Sequence, residues 1–242
     1  MKVRDSVAFV TGANRGLGLV FAQELLAAGA QKVYAAARHP ELITLDGVDR
    51  VPLDVTKPDT IVAAAREYTD VNLLINNAGI SLWTGFLSPA AVEAARSEME
   101  TNYFGPLLVS RAFAPVLAKN GGGAIVNVLS ILSWIAVPDG GTYSASKAAA
   151  WALTNWLRTG LREQGTQVVG VHAGPIDTDM ASQLTLPKVK PVDVVRQVLS
   201  AIEAGQDEVL ADDMTRQIKA GLSNEPGIYL DFDPDRDLAT AA

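Results

Sequence analysis

Three side chains near the middle of this chain have the types and spacing for proton chemistry. In "TYSASKAAAW", Tyr143 and Lys147 stand four residues apart on a helical pattern, which puts them on one face and within reach of a shared site. An unperturbed phenol titrates near pH ~10, so at neutral pH roughly one in a thousand is ionised. A neighbouring ammonium would make it more acidic, giving an acid able to hand a proton to a carbonyl oxygen, or the matching base for an alcohol. Ser130 ends the apolar run "AIVNVLS", and its hydroxyl could donate to the same oxygen. Taken alone, a Tyr and a Lys at this spacing suit an ordinary helix surface. A serine at the carboxyl end of a strand, where open α/β sheets hold their ligands, turns the reading toward chemistry.

A second group of residues has the makings of a phosphate cradle. "VAFVTGANRGLGLVFAQELLAAGA" sets Gly12, Gly16 and Gly18 between an apolar run and a helical one, with Asn14, Arg15 and Leu17 completing the turn. Glycine allows the tight turn and a close approach of backbone to a pyrophosphate, and the free N–H groups of the following helix favour negative charge. No Gly-Lys-Ser/Thr follows, which excludes the P-loop of a nucleoside-triphosphate site. Arg38 lies 20 residues beyond Gly18, where an NAD site would place an acid against the ribose 2′-hydroxyl. A guanidinium accepts no hydrogen bond but forks onto a phosphate, so Ala37-Arg38 suits the 2′-phosphate of NADP(H) better than a free ribose, with Arg15 reaching from the other side. The plain alternative is two solvated surface arginines.

The elements that must position these groups follow from the pattern. Apolar runs "SVAFVTG", "KVYAAA", "DRVPLDV", "NLLINNAG", "AIVNVLS", "QVVGVHAG" and "DEVLA" alternate with amphipathic segments near 17–29, 59–68, 89–119, 144–163 and 192–204. Runs apolar throughout suit strands covered on both faces, and helices between them imply parallel pairing. The expectation is a doubly wound α/β Rossmann fold: a parallel sheet of about seven strands with helices on both faces, in one domain over 1–242 that ends in an acidic tail over 230–242. Ser88 before Pro89 reads as a helix N-cap, Thr56 before Lys57-Pro58 is similar, and "NGGG" at 120–123 reads as a helix end.

Composition narrows the function classes. A formal charge of −7 gives no global pull on nucleic acid or anionic membrane. There are no cysteines and only two histidines, His39 and His172, which removes thiolate nucleophiles, zinc-thiolate sites and a histidine-rich metal site. No secretory leader or membrane-spanning run is legible, making the cytoplasm the expected location and a small molecule the expected partner.

At this point the sequence resembles the short-chain dehydrogenase/reductase family. "TGANRGLG" looks like its cofactor turn, "NNAG" at 76–79 its strand-four signature, "TNYFG" the segment bearing its active-site Asn, and "YSASK" its Tyr-x-x-x-Lys centre. Ser130 precedes Tyr143 by the family's usual 13 residues. The resemblance implies Tyr143 as proton donor, Ser130 as the group polarising the carbonyl, Lys147 as holder of the nicotinamide ribose, and Asn102 as holder of a relay water. It also implies Asp54 and Val55 beside the adenine, Asn77, Ala78 and Gly79 beside its ribose, and Pro175, Ile176 and Thr178 docking the carboxamide. By the same resemblance the helices near 103–119 and 145–163 would form a homodimer interface, with Trp151 and Trp156 as anchors or as core, and a tetramer as the larger assembly. Two positions depart from the pattern: Ala173-Gly174 replaces the usual Pro-Gly, and "DEVLADDMTRQIKAGL" stands where Asp-Gly-Gly is common.

Only about a dozen residues separate Thr178 from the helix near Val192, which argues against a large lid. Leu82, Trp83, Leu132, Trp134, Val137, Pro175 and Met180 are the expected apolar wall. The leading expectation is an NADPH-dependent reductase of aldehydes or ketones with apolar or aromatic substituents. Its rivals are an NAD(P)-dependent alcohol dehydrogenase working oxidatively and a non-catalytic dinucleotide sensor on the same fold.

Overall fold

All seven expected runs are strands in the computed structural model, which describes residues 1–230 together with 232, 233 and 236. The rest of the expected tail lies outside the described residues. The strands are β1 (Val7–Thr11), β2 (Lys32–Ala37), β3 (Asp49–Pro52), β4 (Leu73–Asn76), β5 (Ala124–Val128), β6 (Gln167–His172) and β7 (Glu208–Leu210). They form one parallel sheet in the order β3-β2-β1-β4-β5-β6-β7. The order reverses between β1 and β4, so a crevice opens at the carboxyl ends of these two strands.

Helices cover both faces. On one side α1 (Gly16–Ala27) and α6 (Pro191–Ala204) pack Phe21, Leu25, Val194 and Val198 onto Ala8, Val10 and Val33. On the other, α2 (Pro58–Glu67) and the helical region that follows β4 pack Ile61, Phe113 and Leu117 onto Val7, Phe9 and Leu74. Alternate residues of β1 thus enter opposite cores, which is why its whole run is apolar. Phe9 is 0% exposed, with its ring centroid 4.7 Å from that of Phe113. Burying such a side chain contributes roughly 1.5–3 kcal/mol.

The amphipathic segment expected near 89–119 is not one continuous α-helix. It comprises α3 (Ala91–Met99), a π-helical turn (Glu100–Phe104) and α4 (Gly105–Lys119). Ser88 does not cap it. The helix starts at Ala91 after Ala90, and Ser88 Oγ accepts from Ala90 N inside a preceding turn. Before α2 the N-cap is Lys57, with Pro58 at the first helical position, while Thr56 turns its hydroxyl onto Asp54. Gly121, Gly122 and Gly123 all take positive φ after α4, as the glycine run implies.

The remaining helices are α5 (Gly141–Gly160) and α7 (Asp213–Gly221). The second lies in the segment that replaces the family's Asp-Gly-Gly. Asp212 caps α7 by accepting from Thr215 N at 2.8 Å, and its other oxygen accepts from Gly174 N at 2.8 Å. One carboxylate therefore fixes the loop that leaves β6. Among the described residues no helix is long and apolar enough to cross a membrane.

Candidate active site

The carboxyl ends of the strands border a cleft of about 730 Å³. A chain of buried side chains holds the elements around it in register. Asn76 of β4 donates to Ser110 Oγ of α4 at 3.0 Å and to Asn127 Oδ1 of β5 at 2.9 Å, and Asn127 donates to Thr154 Oγ1 of α5 at 2.9 Å. Buried amides without partners would cost about 1–3 kcal/mol each, so these bonds favour one alignment of the four elements.

Ser130, Tyr143 and Lys147 all line the cleft. Ser130 follows β5 and caps a short 3₁₀ turn (Ile131–Ser133), its Oγ accepting from Leu132 N at 3.1 Å. Because that bond uses an oxygen lone pair, the hydroxyl hydrogen stays free to donate. Tyr143 and Lys147 lie on α5, with Lys147 Nζ 5.7 Å from the Tyr143 ring centroid. Burial drives the Tyr143 phenol well above the usual range, the Ser130 hydroxyl works against it, and the charge of Glu98 adds to it. Lys147 is itself lowered by burial to about 8 and donates to the Val128 carbonyl oxygen at 2.8 Å. The expected acidification of the phenol by Lys147 is therefore not the governing effect. Burial keeps Tyr143 protonated, a state suited to a proton donor.

Asn102 sits in the π turn and is buried, but its side chain is committed to protein. Oδ1 accepts from Ile80 N at 2.9 Å, and Nδ2 donates to Ile80 O and Ser146 Oγ, both at 2.9 Å. It does not line the cleft, so the carboxamide anchors a loop to α5 and leaves no donor for a relay water. A Cβ built on Gly79 would lie 3.1 Å from Asn102 Oδ1 and 3.7 Å from Lys147 Nζ, so the "NNAG" turn meets both groups there.

The opposite half of the cleft is built from the glycine turn. Gly12 has φ of +68°, and a Cβ on it would come within 2.9 Å of Ala78 Cα. Gly18 lies outside the cleft; a Cβ there would sit 2.2 Å from Gly12 O and 2.4 Å from Asn77 Nδ2. Its part is to let α1 close onto the turn. Asn77 donates to Thr11 O at 2.9 Å, and Thr11 Oγ1 accepts from Asn77 N and Ala78 N, both at 3.0 Å. Gly12, Asn14, Arg15, Gly16, Leu17, Arg38, Asp54, Val55, Asn77, Ala78 and Gly79 line this half. Arg38 is exposed there, while Arg15 pairs with Asp179 at 3.5 Å with both side chains largely in water. Burial pushes the Asp54 carboxyl up, but hydrogen bonds from Thr56, helped by Arg38 and Lys57, hold it below the usual range.

Pro175, Ile176 and Thr178 also line the cleft, on the strand-like exit from β6. Ile176 bridges to Val189, and Val189 N donates to Pro175 O at 2.9 Å, closing the intervening segment into a loop. Short as it is, that loop adds Met180, Leu184 and Leu186 to the wall. Of the expected apolar wall, Trp83, Leu132, Val137, Pro175 and Met180 are in place, joined by Ile135 and Phe232. Leu82 and Trp134 are not on the wall: Leu82 is half-exposed, and Trp134 stacks on His172 at 3.9 Å and meets Trp151 edge-on at 6.2 Å. Trp151 is thus half-buried packing, whereas Trp156 of α5 is 63% exposed.

Sequence reasoning missed Glu98. It is fully buried, and Oε1 accepts from Leu82 N at 2.7 Å, beside Trp83, whose φ of +44° is rare for a bulky residue. Glu98 falls on the same inward stripe of the helix as Ala94 and Asn102, four residues from each. An acid on such a stripe was the available signal.

Comparison with known proteins agrees with this geometry. The family model described as short chain dehydrogenase matches residues 6–188. Bovine dehydrogenase/reductase SDR family member 7B is 31% identical over 94% of this chain and 80% of its own, while the mouse protein of that name is 36% identical over 74% and 60%. Among solved structures, a short chain dehydrogenase from Burkholderia cenocepacia J2315 in complex with NADP is 42% identical, with a TM-score of 0.91 over 95% of this chain and 98% of that one. The chain belongs to the short-chain dehydrogenase/reductase family of oxidoreductases.

Proposed function

We propose that this chain reduces aldehydes or ketones carrying apolar or aromatic groups to alcohols, at the expense of NADPH. The observation that carries the reading is one cleft with a glycine turn and Arg38 at one end and the Ser130, Tyr143 and Lys147 side chains at the other. The residues fit the coenzyme: the turn has no room for a Cβ at Gly12, and Arg15 and Arg38 both border the cleft. The NADP bound by the Burkholderia relative supports the same choice.

A bound nicotinamide would supply hydride, so the protein's work is orientation and charge stabilisation. Ser130 donates its free hydroxyl hydrogen to the carbonyl oxygen. Tyr143 delivers the proton to that oxygen as negative charge grows there. Lys147 offers its cation to the ribose and to the phenolate left behind. A relay water would be held by the main chain of the π turn near Asn102, since the carboxamide is already taken. Asp54 and Val55 would border the adenine, and Asn77 would act through the turn it holds. The apolar wall takes the substrate's substituents and sheds water from the reacting end. We further assign one domain to the whole chain and a homodimer to the helices near 103–119 and 145–163, on which Phe104, at the end of the π turn, and Trp156 of α5 are both exposed.

A phenol held protonated is the form that reduction uses, and because the chemistry is reversible, coenzyme preference is what separates this reading from an oxidative alcohol dehydrogenase. A pure dinucleotide sensor would need neither hydroxyl. The test is NADPH consumption against aryl ketones, short aliphatic aldehydes and 3-oxoacyl thioesters. Aryl ketones should turn over, and turnover confined to thioesters rejects the substrate class. Tyr143→Phe should abolish turnover and leave NADPH binding nearly intact; an active variant rejects the mechanism.

A further inference from the structure

His172, the last residue of β6, is 0% exposed and has no part in the chemistry above. Its Nδ1 lies 3.1 Å from the Ser130 carbonyl oxygen. A carbonyl only accepts, so the ring hydrogen resides on Nδ1. Trp134 lies flat against the imidazole, 3.9 Å between centroids and 20° between planes, which fixes the ring's tilt. Nε2 has no hydrogen-bond partner among the described residues and stands 3.9 Å from Glu208 Oε1. Lys219 engages the same carboxylate through its other oxygen and lies over the Trp134 ring. Burial lowers the His172 pKa to about 4; the hydrogen bond to the Ser130 carbonyl and then Glu208 oppose that, while Lys219 and Arg158 reinforce it. The imidazole is therefore neutral at ordinary pH, with its one hydrogen aimed at Ser130.

Ser130 is held from two directions. Its Oγ is set by Leu132 N, and its carbonyl by His172 together with Ser133 N at 3.1 Å. We propose that His172 is a positioning residue for the proton-transfer site: its Nδ1–H holds the Ser130 main chain from β6, keeping the hydroxyl facing the cleft beside Tyr143. The inference rests on the reading of Ser130 as the group that polarises the carbonyl.

Two substitutions separate hydrogen bonding from packing. His172→Phe keeps a ring against Trp134 and loses the donor, whereas His172→Asn loses the ring and places an amide N–H near the old Nδ1. We expect His172→Phe to lower kcat about tenfold, the worth of one buried hydrogen bond, with the KM and dissociation constant for NADPH unchanged. His172→Asn should keep most of kcat. Full turnover by His172→Phe overturns the proposal, and so does a loss in His172→Asn equal to that in His172→Phe. Should neither variant fold, ¹⁵N-histidine spectra of the wild type decide, with the second histidine assigned through His39→Gln. An Nδ1–H tautomer for His172 upholds the proposal and an Nε2–H tautomer overturns it. Ser130→Ala is assayed alongside. If it loses turnover while His172→Phe does not, the positioning role alone fails; if Ser130→Ala is fully active, the reading beneath it fails too.

Discussion

Lys147 Nζ donates to the Val128 carbonyl oxygen at 2.8 Å, tying the helix that bears Tyr143 to the strand that leads into Ser130. Charge at that position is costly, because burial lowers the amine from 10.5 to about 8. The folded value lies below the unfolded one, so between those pH values the unfolded chain binds more protons and stability rises with pH. Below about pH 8 both states are protonated and the penalty is present in full. Lys147→Met is therefore expected to raise the melting temperature of the coenzyme-free protein at neutral pH, at about 2–4 °C per kcal/mol regained. Calorimetry checks this, and a lowered melting temperature contradicts it.

The same titration reaches activity. Tyr143 stays protonated through the neutral range, so the group lost first on raising the pH is the Lys147 charge. The expected profile of kcat/KM for reduction is level through neutral pH and falls above about 8. A rate of reduction that climbs through that pH would place the working pair elsewhere.

Arg38 and Arg15 border the same cleft but are not equivalent, because Arg15 is already paired with Asp179 at 3.5 Å. Arg38→Asp should weaken NADPH binding roughly 10- to 100-fold, the range for a lost charged hydrogen bond, and improve NADH. Arg15→Ala should do less. Titration of both coenzymes measures the two effects, and a wild type that prefers NADH rejects the assignment.

Two glycines of one turn should respond differently to alanine. At Gly18 the new Cβ would sit 2.2 Å from Gly12 O, so the helix must shift, with loss of coenzyme binding and of stability. At Gly16 the nearest heavy atom is 3.6 Å away and only the φ of +54° resists, costing about 1–2 kcal/mol. Chemical denaturation of the two variants gives the ranking, and a Gly16→Ala variant more damaged than Gly18→Ala reverses the account.

The sheet was legible because its inner strands are covered on both sides, which forces continuous apolar runs that no helix period mimics, while the edge strand β3 buries only Val51. The reading lost detail where a long-range contact overrides local pattern. The π turn at Glu100–Phe104 interrupts what reads as one amphipathic helix, and it is there that Asn102 reaches Ile80 and Ser146. Trp134 was expected on the cleft wall because aromatic size is visible in a sequence, whereas its partner His172 lies 38 positions away on β6. Tyr143 and Lys147 were legible as a pair, but the sign of their electrostatics was not, since burial is a property of the assembled site. The helix α7 was not among the expected segments; its signals were Asp212 as N-cap and the buried pair Met214 and Ile218, four residues apart on one face.

The strand order bears on synthesis. β1 lies between β2 and β4, and Val7 N is met by Asn72 Oδ1 at 2.9 Å, 65 positions on. A nascent chain leaving the ribosome therefore carries an apolar ribbon with one side of β1 open until β4 has been translated. Such an unpaired edge is the place where half-made copies stick to one another, and the interval is one in which a chaperone has something to bind.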